Sequence, residues 1–123
     1  MGGLTRLFDT SVLAGPTDGP GPDLAGDCAV SVVAVGELYA GVLLGTDANQ
    51  PGRLRRLALV LSEATVLQID RAVSTAYGDL RAVAGRVPSN DLWIAATAVA
   101  HDLTLITRDR RQAALPLVRA QLL

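Results

Sequence analysis

The chain has 123 residues, half of them apolar, and a net charge of −1. That suits one domain with one real core rather than a disordered chain, and it provides no large basic field to steer nucleic acid. All eleven basic residues are arginine, and there is one Cys and one His, which excludes a phosphate-loop or Schiff-base lysine, an intramolecular disulfide and a Cys/His zinc set.

In chain order, Leu4 to Phe8 reads as a short buried strand ending at Asp9-Thr10-Ser11. Gly15 to Asp27 is crowded with Gly and Pro and reads as a loop. Ser31 is placed to cap a helix running through Leu44, with Gly45 ending it. Gly36 and Gly41 inside that helix suggest close packing against another element. Pro51 suits a first helical position, and a helix from about Gly52 to Glu63 follows. Its spacing puts Leu54, Leu57 and Leu61 inward and Arg53, Arg55 and Arg56 on a wet outer face. Thr65 to Ile69 reads as a strand, and Asp70 caps a helix with Val73, Ala76, Tyr77, Leu80, Val83 and Ala84 on its inner face. Ser89 is expected to cap the next helix, Asn90 to His101. Leu103 to Thr107 is a strand, a short helix lies near Arg111 to Ala114, and Val118 to Leu122 forms a last edge strand. Alternating strands and helices predict a single α/β domain over 1–123, a parallel sheet of about four or five strands with helices on both faces.

Arg6 and Asp9 break the N-terminus before an apolar segment forms, so no signal peptide is expected. The longest uncharged run, residues 28–36, is too short to span a bilayer. The expectation is a cytoplasmic protein with no membrane association.

Asp9, Glu37, Asp91 and Asp109 lie in or at the ends of stretches that otherwise read as buried. Glu37 is the only charged residue between Cys28 and Thr46. An unpaired carboxylate there costs several kcal/mol of desolvation or takes up a proton. Taken singly, each acid has a plainer reading. Glu37 would pair with one buried arginine, Asp9 would be a strand-end turn residue, and Asp91 and Asp109 would serve helix N-termini. Together they suggest a shared cation. In open parallel sheets ligands bind beyond the carboxyl ends of the strands, where Asp9 and Asp109 fall and which Asp91 can reach. An all-oxygen cluster selects hard cations, Mg²⁺ or Mn²⁺, and such sites cleave phosphodiesters by activating water for in-line attack.

The segments FDTSVL, SVVAVGELYAGV and SNDLWIAATAVAHDLTLITRDRR resemble the PIN-domain ribonucleases, specifically the VapC toxins of toxin–antitoxin pairs. The resemblance covers nearly the whole chain. It implies a metal-dependent endoribonuclease leaving 5′-phosphate and 3′-hydroxyl ends. By it, Asp9 and Asp91 would be the main direct metal ligands, Asp109 would complete the shell, and Glu37 would position or deprotonate water. Thr10, Ser11 and Thr107 would be supporting hydroxyls. It also implies an RNA substrate such as tRNA or rRNA, a VapB-type antitoxin and a homodimer. The chain departs from the family in the Gly/Pro loop after Ala14, where relatives often carry a helix, and in the short stretch from Ala84 to Asp91. Both flank the presumed substrate groove.

Arg108, Arg110 and Arg111 follow the last of these segments' strands and are candidates for phosphate contact, or simply a solvated run balancing local acids. Trp93 is expected in the core or an interface rather than stacked on a base. His101 suits a helix end, Asp18, Asp23 and Asp27 suit loop solvation, and Cys28 suits a small buried site. A mean hydropathy of +0.34 leaves apolar surface for partners. Two other classes compete with the nuclease. One is a catalytically silent PIN-like module that binds protein or RNA. The other is a haloacid-dehalogenase-like phosphatase, disfavoured because Ser11 stands where it needs an Asp and because lysine is absent.

Overall fold

The computed structural model describes residues 3–123. Its elements run β1 (Arg6–Phe8), α1 (Thr10–Leu13), β2 (Cys28–Ser31), α2 (Val32–Leu43), α3 (Gln50–Glu63), β3 (Thr65–Leu67), α4 (Arg71–Ala84), α5 (Ser89–Ala100), β4 (Thr104–Thr107), α6 (Arg110–Ala113) and β5 (Ala120–Leu122). The five strands pair in the order β3-β2-β1-β4-β5, all parallel, as the alternation of elements predicts. Leu7 sits opposite both Ala29 and Leu105, so β1 is the central strand, with no exposure at Leu7. Chain connections step one way from β1 to β3 and then reverse to β4 and β5. Right-handed crossovers therefore send α1–α3 to one face and α4–α5 to the other. The reversal lies between β1 and β4, which is where an open parallel sheet forms a crevice at its carboxyl edge.

β2 and α1 are additions to the elements expected from sequence. Cys28–Ser31 is buried at every position, as an inner parallel strand must be. It has no alternation to betray it, and it runs straight into α2 through the cap Ser31, whose Oγ accepts from the Val33 amide at 3.1 Å. Asp70 caps α4 through the Val73 amide, as expected. Ser89 does not cap α5; it is the first helical residue, after Pro88, whose fixed φ sets the entry instead.

The inner face of α3 is also rotated from the expected one. Gly52, Arg56, Leu57 and Val60 are buried, whereas Leu54 and Leu61 are about half exposed. Arg56 is therefore not on a wet face. Its guanidinium donates to the carbonyls of Leu13 (2.8 Å), Gly15 (3.5 Å) and Pro16, which turns this face of the helix toward the Gly/Pro loop. Val83 likewise points outward. A Cβ at Gly36 or Gly41 would meet open space, so neither glycine is there for close packing. Asp27 does more than solvate its loop: it pairs with Arg6 at 2.9 Å and ties the loop's end to β1. Trp93 stacks on Tyr77 with ring centroids 3.9 Å apart, joining α5 to α4. Cys28 is buried, and that burial pushes its thiol up to about 11. No helix among the described residues is long and apolar enough to cross a membrane.

Candidate active site

β1 delivers Asp9 to the carboxyl edge of the sheet, where its amide donates to the Ile106 carbonyl of β4 at 2.9 Å. Asp9 is only 3% exposed, so its carboxylate must be satisfied locally. Oδ2 accepts from Ser11 Oγ at 2.6 Å, Thr107 Oγ1 at 3.0 Å and the Ser11 amide at 3.3 Å. No hydrogen bond among the described residues falls on Oδ1, yet it is not sealed from solvent. One oxygen is thus fixed by hydroxyls and the other is left open.

Glu37 projects from α2 toward the same edge, and its Oε1 accepts from Thr10 Oγ1 at 2.7 Å. It pairs with no arginine among the described residues. Asp109 follows β4 and caps α6, with Oδ1 accepting from the amides of Arg111 (2.8 Å) and Gln112 (3.4 Å). Its own amide donates to Thr107 Oγ1 at 3.0 Å. Asp91 sits in the first turn of α5. Its carboxyl is raised above the usual aspartate value, first by burial and then by the charges of Asp9, Asp109 and Glu37, while Arg111 pulls it down. Asp91 thus feels the other three acids, which come from three separate elements. Among the described residues none of the four has an ion-pair partner.

All three hydroxyls expected from sequence touch an acid or the network around it. Gln112 was not expected. It is fully buried, its Oε1 lies 3.2 Å from Thr107 Oγ1, and its Nε2 donates to the Asp91 carbonyl at 3.2 Å. It therefore ties α6 to the start of α5 and packs against Thr107 at the end of β4. The available signal was the D-x-x-Q spacing of Asp109 and Gln112, a capping-box pattern; here the amide turns inward rather than back to the cap. Arg108, Arg110 and Arg111 are exposed. The Arg108 amide donates to Ser11 Oγ at 2.9 Å, and its side chain borders a cavity of about 360 Å³ against Pro16 to Pro22 of the loop.

Whether this donor set suits a divalent cation can be judged from its chemistry. Among the described residues, no group of three or more His, Cys, Asp or Glu side chains could by itself hold a metal ion. A hard cation such as Mg²⁺ keeps several waters and needs only one or two carboxylates. The open Oδ1 of Asp9 and the mutually repelling, partly desolvated Asp91 provide that much.

The PIN-domain family pattern matches residues 7–117. Ribonuclease VapC4 of Mycobacterium tuberculosis is 43% identical over 117 residues, covering 89% of this chain and 90% of that protein. VapBC-5 of Mycobacterium tuberculosis, a member of the VapBC family of toxin–antitoxin systems, superposes with a TM-score of 0.77 at 35% identity, covering 97% of each chain. VapBC2 from Rickettsia felis, solved on a DNA fragment from its promoter, superposes with a TM-score of 0.83 over 98% of this chain and 99% of that one, and at 21% identity it shares the fold. The acids at the switch point, the sheet order and these likenesses agree: the chain belongs to the PIN-domain family, alongside the VapC ribonucleases.

Proposed function

We propose that the chain is a metal-dependent endoribonuclease toxin of a toxin–antitoxin pair, with residues 1–123 forming one PIN domain. The observation that carries the mechanism is the convergence of four carboxylates, none of them ion-paired among the described residues, with Asp91 raised first by burial and then by the charges of the other three. Mg²⁺ or Mn²⁺, when bound, would supply charge neutralisation at the scissile phosphate and a more acidic water. Asp9 and Asp91 would hold it directly and Asp109 would complete the shell. Ser11 and Thr107 keep Oδ2 of Asp9 occupied, so Oδ1 is the oxygen presented outward. Glu37, oriented by Thr10, accepts a proton from the attacking water. Arg108, Arg110 and Arg111, all exposed, would contact flanking phosphates of RNA. Exposed Leu43 and Leu44 at the C-terminal end of α2 and Leu54 and Leu61 of α3 leave apolar surface for a VapB-type antitoxin or a second copy of the chain. A tRNA or an rRNA loop fits the class of substrate, and the cytoplasm fits the setting.

One observation favours the silent binding module instead: among the described residues no three acids could hold a metal unaided. One experiment separates the two. Purified protein, freed of any copurified partner, is incubated with total bacterial RNA in Mg²⁺, Mn²⁺ or EDTA beside Asp91→Asn. Discrete fragments that need metal and vanish in the variant are expected. Intact RNA in every lane with folded protein would transfer the assignment to the silent module.

A further inference from the structure

α1 is a single turn (Thr10–Leu13), too short to persist by itself. Yet it carries Thr10, which holds Glu37, and Ser11, which holds Asp9 and accepts from the Arg108 amide. At its front end Asp9 caps it. At its back end stands Arg56 of α3, whose guanidinium takes the carbonyls of Leu13 and Gly15 and then that of Pro16. We infer that Arg56 is a positioning residue of the carboxylate site: by gripping the end of α1 it fixes the Thr10–Glu37 and Ser11–Asp9 contacts.

Arg56 is 7% exposed and has no acid within ion-pair distance among the described residues. Burying such a charge is costly, and a leucine would fill the space without that cost. The side chain is instead matched to three carbonyls, which a planar guanidinium reaches from one position and a lysine ammonium does not. The loop is laid so closely on α3 that a Cβ at Gly21 would stand 3.2 Å from Arg56 Nε and 2.9 Å from Leu59 Cδ2, and one at Gly52 would stand 2.5 Å from Thr17 Oγ1. The chain of contacts then runs from Arg56 through the Leu13 carbonyl and α1 to two acids, and through Ser11 Oγ on to the start of the Arg108 segment.

The activity arm of the test rests on the nuclease reading; the exchange arm rests on geometry alone. Arg56→Lys and Gly21→Ala are compared with the parent protein for kcat and KM on a single-stranded RNA carrying a cleavage site mapped from the fragment ends of the total-RNA digest, and for hydrogen exchange at the Ser11 and Arg108 amides. Arg56→Lys should lower kcat by about 10- to 100-fold with KM within about twofold, as misplacement of a reacting group does. The Ser11 and Arg108 amides should exchange faster while those of α4 and α5 do not change. Gly21→Ala, which presses on the guanidinium without removing it, should give the same pattern more weakly, and it decides the matter if Arg56→Lys does not fold. Parent-like kcat with parent-like protection at Ser11 and Arg108 would overturn the inference and reduce Arg56 to a staple for the loop. A parent protein that cuts no RNA would defeat the nuclease reading, and the two amides alone would then decide the role of Arg56.

Discussion

Thr107 Oγ1 lies 3.0 Å from Asp9 Oδ2, joining two residues 98 positions apart in the chain. The same hydroxyl oxygen accepts from the Asp109 amide at 3.0 Å and faces Gln112 Oε1 at 3.2 Å. One side chain thus fixes the ends of β1 and β4 and the N-terminus of α6 relative to each other. A hydroxyl has a single proton, and the ionised carboxylate is its stronger acceptor.

Thr107→Val keeps the shape and removes that oxygen. It leaves the partly buried Asp109 amide without its acceptor, at a cost of about 1–3 kcal/mol. Cleavage should fall by about 10-fold or more as Asp9 loses one of its restraints. Urea unfolding and initial rates check both; wild-type values for both would mean the hydroxyl is dispensable.

Gln112→Leu should behave similarly for a different reason. It removes the donor to the Asp91 carbonyl, so the start of α5 is less firmly held against α6. A destabilisation of about 1–3 kcal/mol and a rise in the metal concentration needed for half-maximal cleavage are expected. A metal titration unchanged from wild type would show that the amide has no bearing on the acids.

Asp91 sets the pH and metal response of stability. Its carboxyl is raised in the folded state by burial and by Asp9, Asp109 and Glu37. Between the ordinary aspartate value, about 3.9, and the raised folded value, the native state binds more proton than the unfolded chain. Stability therefore falls as pH rises through that window, and the penalty is fully present above the raised folded value. In EDTA at pH 7, Asp91→Asn should melt at a higher temperature than wild type. Mg²⁺ or Mn²⁺ should raise the wild-type melting temperature and affect the variant much less. A variant that melts lower in EDTA would contradict this account.

Trp93→Ala removes the stack on Tyr77 that joins α4 to α5. A loss of roughly 2–4 kcal/mol is expected for truncating a partly buried aromatic, with little change in KM for RNA. A selective rise in KM at full stability would mean that Trp93 meets a base instead.

Cys28 should be inert. With the thiol pushed up to about 11 by burial, the thiolate fraction at pH 8 is on the order of one in a thousand. Labelling by a thiol reagent should therefore track global unfolding and accelerate in denaturant. Rapid labelling of the native protein would show that β2 opens locally.

Much of this protein was legible in its sequence, because some constraints are local. The strands ending at Asp9 and Thr107 announce themselves by apolar runs stopped by an acid or an arginine. Asp70, Asp109 and Ser31 read as caps because a short polar side chain reaches an amide two or three residues on. The four acids stood out because charge in an apolar stretch carries a desolvation cost whatever the fold. Other features were hidden because their reasons lie far along the chain. β2 is buried on both faces, so no alternation marks it. Whether Gly36 and Gly41 touch a neighbour depends on where that neighbour sits. Arg56 reads as a surface residue until the Leu13 carbonyl, 43 positions away, is brought to it. Gln112 reads as filler until Thr107 and Asp91 converge on its amide. The sequence by itself determined which side chains are too costly to bury without a purpose. Only the tertiary structure decided which of them meet, because hydrogen-bond and Coulomb energies depend on distances that the order of residues does not contain.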